Sequence, residues 1–464
     1  MSKSRTCALA LCLMTALAFS ATAEAPSLAE ANLQIRAEET GNSQIMWLLH
    51  QMTDVHAPRV TGSPGIKAAS DWAVKTLTSW GLNARLEPFT FQPPSAAKPV
   101  VGWENIELAA DAIKPFRSQL SVKPVAWTPS TKGVVIAEAV NIAPPGLSRG
   151  GRGFGRGATR VETEPLASPM EPRAQAPSEQ PTREELDAYL NSVAAKVKGR
   201  IVLVGKPVEV PINLTPAPLR RSEDDWRAQF DPKGPAPDRG FGGGGRGAGA
   251  TPTGRLSAQE VARIVDQFLL RSGALVRIND AGRAHGIIAA QQNGTYDSSR
   301  VVPTLVMRNE DYGRIARVLA GGSAVTLRVN VQNREYPEGV TAYNVIAEIP
   351  GTDKADEVVM LGGHFDSWHG ATGATDNAAG CAMMMEAVRL IQSLKLKPRR
   401  TIRLALWSGE EQGLLGSLAY VQQHFGSAEN PKPAFNKLSA YFNIDSGTGR
   451  PRGASVFGPA APAT

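Results

Sequence analysis

Cysteine is nearly absent, with three residues in a chain of 464. Cys7 and Cys12 fall in an apolar stretch at the N-terminus, which leaves Cys381 as the single thiol beyond it and excludes an internal disulfide. A lone thiol of this kind is normally buried and inert. Long apolar runs are scarce too. The run from Cys7 to Ser20 is too short to span a bilayer. Lys3 and Arg5 precede it and Ala21-Thr22-Ala23 follows it, so residues 1–23 read as an export signal. No other stretch is long and apolar enough to cross a membrane, and the expected location is secreted or periplasmic. Acidic residues are missing from two tracts, 149–160 and 239–255, which hold Arg149, Arg152, Arg156, Arg160, Arg239, Arg246 and Arg255. Without residues 1–23 the chain has 48 basic against 43 acidic residues, and these seven arginines account for more than the whole excess. The basic balance therefore belongs to two glycine-rich tracts. It does not form a binding face, and with no aromatic stacking platform no nucleic-acid partner is expected.

Apolar residues at 42% and charged residues at 20% suit a folded protein of two or three domains. Ile45, Leu48, Leu49 and Met52 share one helical face; Trp72, Val74, Leu77 and Trp80 continue the pattern in a second helix. Between them Thr61-Gly62-Ser63-Pro64-Gly65 reads as a turn that caps the second helix. Residues 86–91 and 134–139 alternate as strands. Segments 146–180 and 216–254 are too rich in Gly, Pro, Arg and Ser to bury a core. Around them, strands are expected at 201–204, 274–278, 286–290, 304–307 and 325–331, with helices at 258–271 and 311–319. After Tyr343 strands at 343–349, 357–361, 401–407 and 438–443 alternate with helices at 376–394 and 412–424. That alternation implies a largely parallel sheet with helices on both faces. Such sheets place ligand sites at strand C-terminal ends.

Four polar clusters stand at those ends. The first is Gly362-Gly363-His364-Phe365-Asp366-Ser367, in which His364 and Asp366 point the same way along extended backbone. A histidine beside a carboxylate suits a metal ligand and its orienting acid, although a hydrogen-bonded structural histidine would look the same. Asp376, within Gly373–Gly380, is either a helix N-cap or a ligand in a surround of small residues. Glu410 and Glu411 repel each other unless a cation or proton holds them. They are either a solvated helix start or a ligand beside a general base. Asp445 follows the last strand. One histidine with several carboxylates suits zinc or manganese more than calcium.

The motifs GGHFDSW, GATDNAAG, GEEQGLLGS and NIDSG, within residues 343–458, resemble those of the di-zinc exopeptidases of metallopeptidase family twenty-eight. The helix–TGSPG–helix opening at 45–82 is similar to the start of that catalytic domain. The resemblance implies a three-layer αβα peptidase domain built from residues 24–120 and 339–464, interrupted over 121–338 by a smaller α/β insert like a protease-associated domain. It implies two zinc ions per site. Asp376 would bridge them, His364 and Asp445 would hold one, and Glu411 the other. Glu410 would be the general base, Asp366 would orient His364, and the substrate would be a peptide or dipeptide with a free terminus. The family pattern also supplies a histidine ligand beyond the fourth cluster. The six histidines here are His50, His56, His285, His364, His369 and His424. None follows Asp445, so the expectation is a C-terminally incomplete peptidase. The alternative is a peptidase-like fold serving as a non-catalytic binding module.

Overall fold

A computed structural model describes residues 26–147, 180–211 and 254–445, with isolated positions between 214 and 227 and after 446. The expected export signal and most of segments 146–180 and 216–254 lie outside the described residues.

Among the described residues there are two sheets. The first has five strands in the order Asn83–Thr90, Thr341–Ile349, Arg400–Trp407, Lys354–His364, Leu438–Asn443. Its first two pairings are antiparallel, and Lys354–His364 runs parallel to both of its neighbours. Period-two alternation sends side chains to opposite faces. Leu404 and Leu406 join the core under Pro64–Ser79 and Ala379–Ser393, whereas Ala405 and Trp407 pack with Tyr420 of Leu415–His424 on the other face. Helices thus cover both faces, as the sequence pattern implies.

The second sheet has eight strands, and four of them (Val135–Ile142, Ile201–Val204, Val276–Asp280, Thr304–Met307) run parallel side by side. Arg183–Val197 and Ala258–Arg271 cover one face, and Asn309–Ala320 covers the other through Tyr312 and Ile315. The chain enters this sheet by Gly102–Lys114 and leaves it by Thr326–Tyr336, which pair antiparallel from Gly102↔Tyr336 to Lys114↔Thr326. The entry strand lies N-terminal to residue 121, where the sequence suggested that the insert begins. At the foot of this ribbon three backbones meet. A side-chain carbon on Gly102 would lie 1.9 Å from the Gly62 carbonyl oxygen, and one on Gly339 would lie 2.3 Å from it. Only glycine permits that approach.

Several local expectations need correction. Residues 286–290 form no strand; the segment turns instead, with Gly286 at φ 69°. Gly102–Lys114 and Arg183–Val197 were not expected, although Thr182 and Glu185 form a reciprocal capping box that marks the helix start. The helix expected from Asp376 begins at Ala379. Asp376 and Asn377 keep non-helical backbone before it, so Asp376 is not an N-cap. The helix expected from Gln412 begins at Leu415, because Gly413 and Leu414 both take positive φ.

Candidate active site

Because Lys354–His364 is parallel to both neighbours, three strands deliver their C-terminal ends to one edge of the sheet. His364 closes its strand opposite Trp407, and Gly362 lies opposite Asn443. Glu410 and Glu411 follow Trp407 after a short turn, and Asp445 follows Asn443 after one residue, Ile444. Asp376 arrives from the kinked backbone before Ala379–Ser393. Close packing of that kink on the last strand depends on Gly380, where a side-chain carbon would lie 2.6 Å from the Ile444 carbonyl oxygen.

The imidazole of His364 is 2% exposed, and its Nε2 lies 2.8 Å from Asp376 Oδ1 and 3.3 Å from Asp445 Oδ1. One ligand atom from each of the three lies within 4.8 Å of the others, and they form the one such trio among the described residues. Asp376 is 56% exposed and Asp445 24%, so the trio opens to solvent on the side away from the imidazole. Glu411 is buried beside it but is not one of the trio.

On the other side of the ring, His364 Nδ1 lies 3.1 Å from the Asp366 backbone oxygen and 3.6 Å from its carboxylate. That carboxylate is fully buried and accepts from three donors: Thr61 Oγ1 at 3.0 Å, the Glu410 N–H at 3.2 Å and the Glu411 N–H at 3.3 Å. Thr61 Oγ1 in turn accepts the Gly409 N–H at 3.0 Å. Asp366 therefore touches both the histidine and the backbone of the paired glutamates.

A second anchor is Arg59, whose buried guanidinium donates only to backbone carbonyls: Phe365 at 2.7 Å, Thr372 at 3.1 Å, Gly373 at 3.2 Å and Met52. It ties both ends of the loop between His364 and Asp376 to the N-terminal helices. Sequence reading missed Arg59 and took Thr61 for part of a capping turn. Ser63 does cap Pro64–Ser79, but nothing local signals that Thr61 faces a carboxylate 305 positions away.

Charge is concentrated here. Burial pushes Glu410 up to about 7, Asp366, Asp445 and Asp376 adding to the rise and His364 opposing it. Burial, then Asp376 and Asp366, raises Glu411 well above the ordinary carboxylate range. For His364 burial acts downward, but hydrogen bonds from the ring to Asp366, Asp376 and Asp445 outweigh it and hold the ring well above its usual value. The thiol of Cys381, buried and donating to the His364 carbonyl at 2.9 Å, is pushed up to about 12 by burial and is inert. The two histidines nearest in sequence are engaged elsewhere. His369 Nε2 donates to the Pro124 carbonyl at 2.7 Å, and burial drives its pKa down to about 4. His424 Nε2 lies 2.6 Å from Glu87.

Residues 344–463 match the sequence model of peptidase family M28. Mouse carboxypeptidase Q is 34% identical over 157 residues, which are 34% of this chain and 32% of that protein. A probable leucine aminopeptidase 2 from Arthroderma benhamiae is 35% identical over 174 residues, 38% of this chain and 32% of that protein. The alignments thus span about a third of the length of these curated relatives. The crystal structure of a peptidase M28 precursor from Shewanella amazonensis has a TM-score of 0.51 at 23% identity, over 90% of this chain and 73% of that one. The likeness shows that the fold is shared with an M28 peptidase.

Proposed function

We propose that this chain carries the metal-binding part of a zinc-dependent exopeptidase that cleaves peptide bonds beside a free terminus, using water activated between two metal ions. The supporting observation is the meeting of His364, Asp376 and Asp445 within 4.8 Å, next to the buried Glu411 and the half-buried Glu410. The donor set fits a divalent cation of zinc type. A single imidazole nitrogen faces two carboxylates, and burial raises the neighbouring Glu410 and Glu411 carboxyls above their ordinary range.

In this reading His364 and Asp445 would hold one ion, Glu411 would hold the other, and Asp376 would serve both. When bound, the ions would lower the pKa of a shared water and polarise the scissile carbonyl. Glu410 is the general base, which takes a proton from water and returns it to the leaving amine. Asp366 orients His364, and its placement against the Glu410 and Glu411 amides keeps the base and the ligand in fixed relation. The substrate is a peptide or dipeptide. We further propose export directed by residues 1–23, and a peptidase part, 24–120 with 339–464, interrupted by a protease-associated-like insert over 121–338.

The test is zinc titration of metal-stripped protein alongside hydrolysis of dipeptides and of substrates blocked at either end. Loss of one class of blocked substrate identifies the terminus. Activity that survives chelation, or survives Glu410→Gln unchanged, overturns the reading. Zinc uptake with no turnover would favour a binding module.

A further inference from the structure

Three consecutive backbone N–H groups, those of Gly409, Glu410 and Glu411, are received by two side chains, Thr61 and Asp366. Gly409 has φ 73°, and a left-handed residue beside ordinary ones turns successive N–H groups toward a common centre. Asp366 fills most of that concavity. Its carboxylate cannot reach all three donors, and the Gly409 N–H goes to Thr61, whose own hydroxyl hydrogen points at Asp366 Oδ2. Thr61 therefore closes a buried ring of hydrogen bonds in which every donor has an acceptor. Its side chain, Asp366 and Ser408 are all essentially inaccessible to water, so no solvent molecule can replace the hydroxyl.

We infer that Thr61 is a positioning residue: its hydroxyl fixes the Gly409–Glu411 turn against Asp366, and so sets where Glu410 and Glu411 stand relative to His364. The inference rests on the metal-centre reading for its functional consequence, but the hydrogen-bond ring is independent of any ion. Thr61 lies outside the matched segment 344–463, and none of the chemistry falls to it directly. Threonine serves here because one oxygen both accepts and donates. Valine has the same shape and does neither. It would leave the Gly409 N–H buried and unpaired, and Asp366 with one donor fewer.

The experiment compares unsubstituted protein, Thr61→Val and Thr61→Ser, all as the full chain. Hydrogen exchange is read by mass spectrometry on the peptide covering residues 408–414, and Co²⁺ alone is titrated into metal-stripped samples. Thr61→Val should speed exchange of the three amides at least about tenfold. It should weaken Co²⁺ binding about 10–100-fold, the usual cost of removing an outer hydrogen bond from a metal site, and alter the cobalt absorption band. Thr61→Ser should restore exchange and affinity to within about threefold. Unchanged exchange in Thr61→Val, or failure of serine to rescue, overturns the inference. If Thr61→Val does not fold, the unsubstituted protein decides. Joint protection of the three turn amides supports the ring, and rapid exchange there refutes it. A chain that takes up no Co²⁺ sinks the metal-centre reading, and the exchange rates still judge Thr61.

Discussion

Replacing Glu410 by glutamine should stabilise the metal-stripped protein, and by an amount that grows with pH. Glu410 is held near 7 in the fold against 4.5 for an ordinary glutamate. Between those values the folded state binds the proton and the unfolded state does not, so stability falls as pH rises. At about 1.36 kcal/mol per pKa unit the loss reaches about 3 kcal/mol by pH 7. His369 acts with the opposite sign. Its folded value of about 4 lies below the ordinary 6.5, so between these the unfolded state binds more protons and stability rises with pH by a similar amount. The two nearly cancel, and the pH profile of the unsubstituted protein alone would reveal neither. The difference between Glu410→Gln and the parent isolates the glutamate. It should be pH-independent below about pH 4, increase through pH 5–7 and level off above. Melting temperatures by scanning fluorimetry with a chelator present would read this as a relative gain on the order of 5 °C at pH 7. Glu411 and His364 are coupled to the same site, so the observed midpoint belongs to the cluster. Saturating zinc should abolish the advantage, because cation binding favours ionised carboxylates. A difference that stays constant from pH 5 to 8 would refute the assignment of a raised carboxyl pKa at Glu410.

Other outcomes follow from the same geometry. In protein that turns over substrate, Glu410→Gln should keep its zinc by elemental analysis and lose kcat about 10²–10⁴-fold, whereas Glu411→Gln should lose zinc as well. Equal metal loss in both would show that the two roles are not divided. Arg59→Lys should destabilise the protein by about 1.5–3 kcal/mol in urea unfolding, because an ammonium cannot reach four carbonyls that a planar fork serves. Unchanged stability would mean that the loop from Phe365 to Gly373 is held by other contacts. Replacing residues 148–179 with a short glycine linker should leave the melting temperature equal or slightly higher. The flanks already meet, since a side-chain carbon on Gly146 would sit 2.2 Å from the Pro181 ring, and a shorter loop costs less to close. A clear drop would show that the segment contributes packing.

The strands carrying the site were readable because they are apolar runs with polar residues massed at one end. Ile201–Val204, Thr304–Met307 and Leu438–Asn443 have the expected bounds, and so does the helix Ala258–Arg271, with its capping box at Ser257 and Glu260. Gly102–Lys114 was missed for a physical reason. Its alternation breaks at the register shifts beside Asn105–Glu107 and Ala112–Lys114, and its outer residues are mostly polar or half exposed. The start of Ala379–Ser393 was misread because the acid before it looks like an N-cap. Only the tertiary fold shows that the carboxylate of Asp376 turns to His364, while Asn377 Oδ1 accepts the Gly380 N–H of the first helical turn.

The parts of the site that sequence patterns reveal are the groups that would touch metal or water, and all of them lie between His364 and Asp445. The parts that hold those groups in place come from elsewhere. Arg59 fastens the loop joining His364 to Asp376, and Thr61 helps fasten the Gly409–Glu411 turn. Both belong to the stretch just before Pro64–Ser79, a helix whose Ile66, Ala69, Ala73 and Leu77 are buried in the same core as Leu404 and Leu406. The packing of that helix on the sheet thereby fixes Arg59 and Thr61, and these fix the 365–373 loop and the Gly409–Glu411 turn. The second sheet adds a contact from the other side, where His369 bonds to Pro124 and its ring meets Trp103 edge-on at 4.9 Å. A fragment limited to the matched residues 344–463 would keep every acidic residue of the proposed metal centre yet lose all three restraints. It should therefore bind metal weakly for lack of order, even with its donor atoms intact.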